Sequence, residues 1–135
     1  MIKYDKRGRE RKVALFNGSA CPRGAIIRAT LTLRATKSHS YLLLEEPLPS
    51  GCEVLETGEL SSWEWWDAGY WFADRDVRDD KIAFFINELP PGVHKITYEM
   101  RAEVSGKCRI MPTYISSMYD PSITAYDTSR RLVIK

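Results

Sequence analysis

Side chains between Val93 and Val104 alternate with a period of two. Ile96, Tyr98, Met100, Ala102 and Val104 share one parity, and Lys95, Thr97, Glu99, Arg101 and Glu103 share the other. A strand sends successive side chains to opposite faces, so this stretch has one dry face and one wet face. A helix would scatter both sets around its axis. The same rule governs Ile27 to Ala35, where Ile27, Ala29, Leu31, Leu33 and Ala35 alternate with Arg28, Thr30, Thr32 and Arg34. Tyr41-Leu42-Leu43-Leu44 and Ile82-Ala83-Phe84-Phe85-Ile86 are apolar on both parities, as central strands covered on a second face require.

Shorter strands are expected at Val13 to Phe16, Tyr70 to Val77, Arg109 to Tyr114 and Arg131 to Ile134. Turn signals separate them: Pro22-Arg23-Gly24, the Pro47 to Gly51 stretch, Asp79-Asp80, Pro90-Pro91-Gly92 and Ser105-Gly106. Many short strands punctuated in this way predict an all-β, antiparallel β-sandwich. Tyr114 to Tyr119, between Pro112 and Pro121, is the one place for a short helix. With 135 residues and 44% hydrophobic content the chain suits a single domain, residues 1–135, with a core of its own.

The net charge of +2 hides an uneven distribution: +8 over residues 1–37, −9 over 38–90 and +3 over 91–135. In a compact domain these segments screen one another, so internal pairing is the first reading and a basic docking face the second. The basic start (Lys3, Lys6, Arg7, Arg9, Arg11, Lys12) lacks interleaved aromatics and any nucleic-acid module pattern, so it reads as a frayed, solvated lead-in. It also lacks a signal peptide's apolar stretch. Either the protein is cytoplasmic or this is a piece of a longer exported chain. No run approaches the roughly 18 apolar residues of a membrane-crossing helix, and direct membrane insertion is not expected. Cys21, Cys52 and Cys108 are odd in number and lack C-x-x-C spacing, which favours free buried thiols over a metal cluster or a disulfide framework.

Catalysis requires a nucleophile, a base and a group to orient them. Only His39 and His94 offer an imidazole. His94 falls on the inward parity beside the Pro-Pro-Gly turn, where a satisfied, half-buried histidine is expected. His39 lies in the turn-like Lys37-Ser38-His39-Ser40, where exposure is expected. Asp74, Asp76, Asp79 and Asp80 resemble the start of a calcium loop, but its sixth position is Asp79 rather than Gly and its twelfth Phe85 rather than Glu. Asn17-Gly18-Ser19 matches a glycosylation acceptor and reads better as a tight turn. These residues predict no enzyme, no metal and no cofactor.

Trp63, Trp65 and Trp66, with Tyr70 and Trp71, form the densest aromatic stretch. Such a segment packs over its own sheet, meets another protein or stacks on sugar rings. A carbohydrate-binding or adhesion sandwich is therefore the alternative reading of this chain.

Three stretches in order resemble the C-terminal macroglobulin-like domain of bacterial alpha-2-macroglobulins. The first runs from Tyr41 through Glu45-Glu46 and Pro47-Leu48-Pro49-Ser50-Gly51 to Glu53. The second runs from Arg78-Asp79-Asp80 through Phe84-Phe85 to Leu89-Pro90-Pro91-Gly92. The third runs from Pro112 to Met118-Tyr119-Asp120-Pro121. The likeness covers residues 24–135; residues 1–23 match loosely. It implies a macroglobulin-like sandwich within a long, exported, periplasmic or envelope-associated protease inhibitor. In such a chain the domain docks against its neighbours, including a thioester domain where one exists, and meets target proteases only indirectly. The Cys-x-Glu-Gln thioester motif is not here, since Cys52 is followed by Glu53 and Val54. On this reading the interface residues are Trp63, Trp65, Trp66, Trp71, Met118 and Tyr119.

Overall fold

The computed structural model describes residues 1–4, 7–55 and 72–135. Among them the secondary structure is entirely β. The strands are β1 (Ile2–Tyr4), β2 (Glu10–Lys12), β3 (Ala20–Cys21), β4 (Ile26–Ala35), β5 (His39–Pro47), β6 (Cys52–Val54) and β7 (Phe72–Val77). After them come β8 (Lys81–Leu89), β9 (Gly92–Ala102), β10 (Gly106–Ile110), β11 (Tyr114–Ser117), β12 (Thr124–Tyr126) and β13 (Arg130–Ile134). Two five-stranded sheets, β2-β1-β4-β9-β6 and β12-β11-β5-β8-β7, are joined by a small β10-β13-β3 sheet. Pairing is antiparallel except between β13 and β3, where Val133 and Ile134 run parallel to Ala20 and Cys21.

The two alternating segments pair with each other. β4 and β9 hold one register from Ile26↔Arg101 to Ala35↔Gly92, so Ile27, Ala29 and Leu31 lie opposite Met100, Tyr98 and Ile96 on the inner face. On the outer face Arg28 lies opposite Glu99 and its guanidinium reaches that carboxylate at 2.7 Å and Glu10 at 3.0 Å. β5 and β8 pair likewise, setting Leu42, Leu44 and Glu46 opposite Ile86, Phe84 and Ile82. Phe84, Leu44, Ile82 and Ile86 are almost wholly buried, each worth about 1.5–3 kcal/mol over leaving it in water. They form one core with Ile27, Tyr98, Met100 and the inner residues of the small sheet, Cys21, Cys108, Leu132 and Ile134.

The long strands fall where alternation places them, and several short elements differ. Tyr114–Ser117 is a strand rather than the start of a helix, because it fills the open edge of β5 while β12 closes its other side. Ile and Ser are modest helix formers, and two ladders of hydrogen bonds outweigh that weak preference. Val13 to Phe16 is not a strand; the extended segment lies earlier, at β2, which pairs with β1. Lys3, Arg11 and Lys12 of the basic lead-in are accordingly part of a sheet rather than frayed. The segment expected from Arg109 to Tyr114 divides around Pro112, which has no N–H to donate to a ladder. His39 opens β5 opposite Leu89 and is half-buried, not an exposed turn residue. Asn17-Gly18-Ser19 is a turn: Gly18 has φ +82°, Ser19 N–H donates to Phe16 O, and Asn17 Oδ1 accepts the Arg131 N–H at 2.8 Å.

Gly51 shows how closely the end of the core is packed. A Cβ there would lie 2.6 Å from the Val104 carbonyl oxygen, 2.8 Å from Ile134 Cδ1 and 3.2 Å from Cys108 Sγ. Its own carbonyl accepts the N–H groups of Glu103 and Val104, so the backbone is pinned there. Gly51→Ala is expected to lower unfolding stability by about 1–3 kcal/mol, read as a lower urea midpoint. An unchanged midpoint would show that this junction yields.

Candidate docking interface

The β11–β12 hairpin carries Met118 and Tyr119 of the predicted interface. Ser116 lies opposite Thr124, and the Ser117 N–H donates to Ile123 O at 3.0 Å, so residues 118–122 form the tip. Short polar side chains hold that tip. Ser117 Oγ accepts the N–H of Asp120 at 3.2 Å. Asp120 Oδ1 accepts both the hydroxyl (2.6 Å) and the N–H (3.1 Å) of Ser122. Those bonds to Ser122 hold the Asp120 carboxyl below its ordinary range. Such side-chain-to-backbone bonds, with Pro121 restricting its own φ, stiffen a loop that has little core to lean on.

Met118 and Tyr119 extend from this tip, 44% and 79% exposed. Beside them Tyr41 of β5 is 52% exposed, and its ring meets that of Tyr119 edge to face with centroids 5.5 Å apart. Tyr41 has φ +53°, a left-handed conformation that costs a non-glycine residue about 1–2 kcal/mol. The β5–β8 ladder pairs Ser40 with Glu88 and Leu42 with Ile86 but omits Tyr41, whose carbonyl accepts the Met118 N–H at 2.9 Å. The tip and the strained strand residue thus fix each other. Trp63, Trp65, Trp66 and Trp71, the other predicted interface residues, lie outside the described residues.

Behind this edge a buried polar group crosses the sandwich. Glu46 follows Leu42 and Leu44 on the inward parity of β5 and is 7% exposed. Its Oε1 accepts the Tyr98 hydroxyl of β9 at 2.8 Å, and its Oε2 accepts the Thr113 hydroxyl just before β11. Thr113 is tied in turn to Asp127, its N–H donating to Oδ1 at 2.7 Å. Burial raises the Glu46 carboxyl above its ordinary 4.5, the two hydroxyls opposing that shift in part. Burial likewise raises the Tyr98 phenol, with Glu46 adding to the effect. Both carboxylate oxygens are committed to neutral donors, so the arrangement ties the sheets together and presents no free base. Sequence reading did not single out Glu46, although an acid on the parity of Leu42 and Leu44 was a visible signal.

Glu46 also lines a groove of about 1120 Å3 between the sheets, with Ala29, Leu31 and Leu33 on one wall and Ile115 on the other. Elsewhere, His94 Nε2–H donates to Pro90 O at 2.7 Å, and the side chain is half-buried, as its parity predicts. Asp76 pairs with Arg78 at 3.0 Å, while Asp79 and Asp80 face solvent. The cysteines are free and buried, and burial, with Cys108 and Cys21 adding to it, pushes the Cys52 thiol up to about 12. A thiol so shifted is a packing group at neutral pH.

Comparison with known proteins sets this geometry in a family. The family model for the bacterial alpha-2-macroglobulin MG10 domain matches residues 3–122. The chain belongs to that family. An alpha-2-macroglobulin of Pasteurella multocida is 28% identical over 109 residues, 78% of this chain and 6% of that protein. Trypsin-activated alpha-2-macroglobulin from Escherichia coli superposes with a TM-score of 0.72 at 18% identity, over 83% of this chain and 9% of the other. Salmonella alpha-2-macroglobulin reacted with methylamine superposes with a TM-score of 0.74 at 18% identity, over 98% of this chain and 9% of the other. The macroglobulin domain thus spans less than a tenth of the length of these relatives.

The raised Glu46 carboxyl makes stability depend on pH. A folded pKa above the unfolded value favours the protonated, folded form. That contribution is fully present below about pH 4.5 and is lost as pH rises through the folded value. Glu46→Gln, which cannot ionise, is expected to flatten this slope. Its unfolding free energy minus that of the parent protein should be larger at pH 8 than at pH 5 in urea titrations, so the variant gains relative stability as pH rises. Parallel profiles for the two proteins would show that Glu46 does not titrate in this range.

Proposed function

We propose that this chain is the C-terminal docking domain of an exported alpha-2-macroglobulin-type protease inhibitor, one that binds neighbouring domains of its own parent and carries out no chemistry. The single observation that carries this reading is the tip formed by Met118, Tyr119 and Tyr41. Exposed apolar side chains held rigid before contact lose little entropy on binding, and tyrosines are enriched among the residues that dominate interfaces. The strain retained at Tyr41 fits a surface shaped for a partner rather than for the domain's own stability.

The short span of this chain against its relatives supports a partner within the parent, since most of such a protein is other domains. Where the parent keeps a thioester domain, that domain is the expected surface, and this one shields it. Trypsin activates the Escherichia coli relative; here a protease would be met by other parts of the parent and sensed only through domain rearrangement. Periplasmic or envelope placement follows from the parent's export.

Replacing Tyr119 with Ala in the full-length parent is expected to weaken domain docking by about 2 kcal/mol. The gain would be read as faster limited proteolysis at the junction preceding this domain. The isolated domain, whose tip is solvent-exposed, should change stability by only about 0.5 kcal/mol. Equal junction cleavage in variant and parent would remove Tyr119 from the interface and sink the reading.

A further inference from the structure

The small sheet carries an arrangement unrelated to the tyrosine tip. β10 and β13 pair with Arg109 directly opposite Arg131, and Cys108 directly opposite Leu132. Because Cys108 and Leu132 are buried in the core, parity turns both arginines outward, with Lys107 two residues before Arg109 on the same face. Like charges directly opposite on neighbouring strands repel. Among the described residues neither Arg109 nor Arg131 makes an ion pair. The other arginine of β13, Arg130, does have a carboxylate partner, Asp127 at 3.4 Å.

Both arginines are exposed, and the surface they share is concave. A pocket of about 460 Å3 is lined by Arg109, Arg131, Ser129, Asn17 and Gly18. Its wall is fixed to the sheet. Gly18 N–H donates to Arg131 O at 2.8 Å, and Asn17 Oδ1 accepts Arg131 N–H at 2.8 Å. With its oxygen committed, the Asn17 side chain offers the pocket only its NH2 donors, and Ser129 adds a hydroxyl. The lining is thus two cations and two neutral donors, with no acid.

We propose that this pocket binds a doubly charged tetrahedral oxyanion of the phosphate or phosphomonoester class. Side chains directly opposite on antiparallel strands have Cβ atoms about 5 Å apart, so both guanidinium forks can converge on one small group. A tetrahedral dianion offers each fork its own pair of oxygens and neutralises both charges. A carboxylate satisfies one fork and leaves the other cation unpaired. A free metabolite and a lipid headgroup both present such a phosphate, and the chemistry recognised is the same.

The test is calorimetric titration of the protein with inorganic phosphate, glycerol phosphate, acetate and chloride at constant ionic strength, with Arg109→Gln, Arg131→Gln and Arg34→Gln compared. Saturable one-site binding of the phosphates is expected, about tenfold or more weaker in either pocket variant and unchanged in Arg34→Gln, on an exposed position of another sheet. Affinity for glycerol phosphate should rise between pH 5 and pH 7, as a phosphomonoester loses its second proton near pH 6. In chloride alone each pocket variant should melt no lower than the parent protein, since it removes a repulsion, yet it should lose the rise in melting temperature that phosphate confers. Vesicles containing phosphatidic acid and vesicles of phosphatidylcholine alone separate the sources. Arg109-dependent capture on the former assigns a headgroup, and free phosphate binding without capture assigns a soluble ligand. Effects that follow ionic strength alone, or phosphate binding untouched by both pocket variants, would overturn the proposal.

Discussion

The unbroken antiparallel ladder between β4 and β9 is the constraint on which the other contacts rest. Its ten consecutive partners, from Ile26↔Arg101 to Ala35↔Gly92, turn two alternating segments into one surface that is apolar on one side and polar on the other. A slip of one residue would put Ile27 and its set on the same face as Glu99 and Arg101, and so send the apolar side chains of one of the two strands to solvent. That penalty fixes the register, and the register places Tyr98 where it can reach the opposite sheet. β6 adds to the free side of β9 and β1 to the free side of β4, so the whole first sheet takes its orientation from this pair.

Glu46 is the second structural tie, and it works by geometry more than by net energy. A carboxylate in an apolar slab is costly unless its oxygens are satisfied. Here each oxygen has one hydroxyl donor, and the donors come from different elements, Tyr98 from β9 and Thr113 from the approach to β11. Displacing either sheet would leave a buried polar atom without a partner, so the group specifies one arrangement of the layers even where it adds little stability. It also holds the start of β11, the strand that leads into the tyrosine-bearing tip. The core and the proposed docking edge are in this way mechanically connected.

The surface features read as functional lie where the ladders end or are interrupted. Tyr41 leaves its ladder, and its carbonyl is taken up by Met118 across the hairpin tip. Arg109 and Arg131 obey their ladder perfectly and are brought into repulsion by it. In both cases the regular sheet supplies rigidity, and the departure from local optimum marks the place where something outside the domain can contribute energy.

The strand segments with long alternation, the inward and outward sets within each, the turn at Asn17-Gly18 and the half-buried state of His94 were legible in the residues alone. These depend on parity and on turn chemistry, which are local. The ordered motifs from Tyr41 to Pro121 were likewise enough to indicate the family. Which strands pair with which emerged only from the packed fold. Tyr114–Ser117 reads as a short helix until β5 and β12 supply ladders on both sides, and His39 reads as exposed until β8 lies beside it. The basic start reads as frayed until β1 and β2 close an edge of the first sheet. Glu46 carries a visible parity, yet its two donors lie 52 and 67 residues away in the chain, and the opposition of Arg109 and Arg131 exists only once β10 and β13 are in register. Parity is written in neighbouring residues, whereas partnership is set by the packing of distant ones.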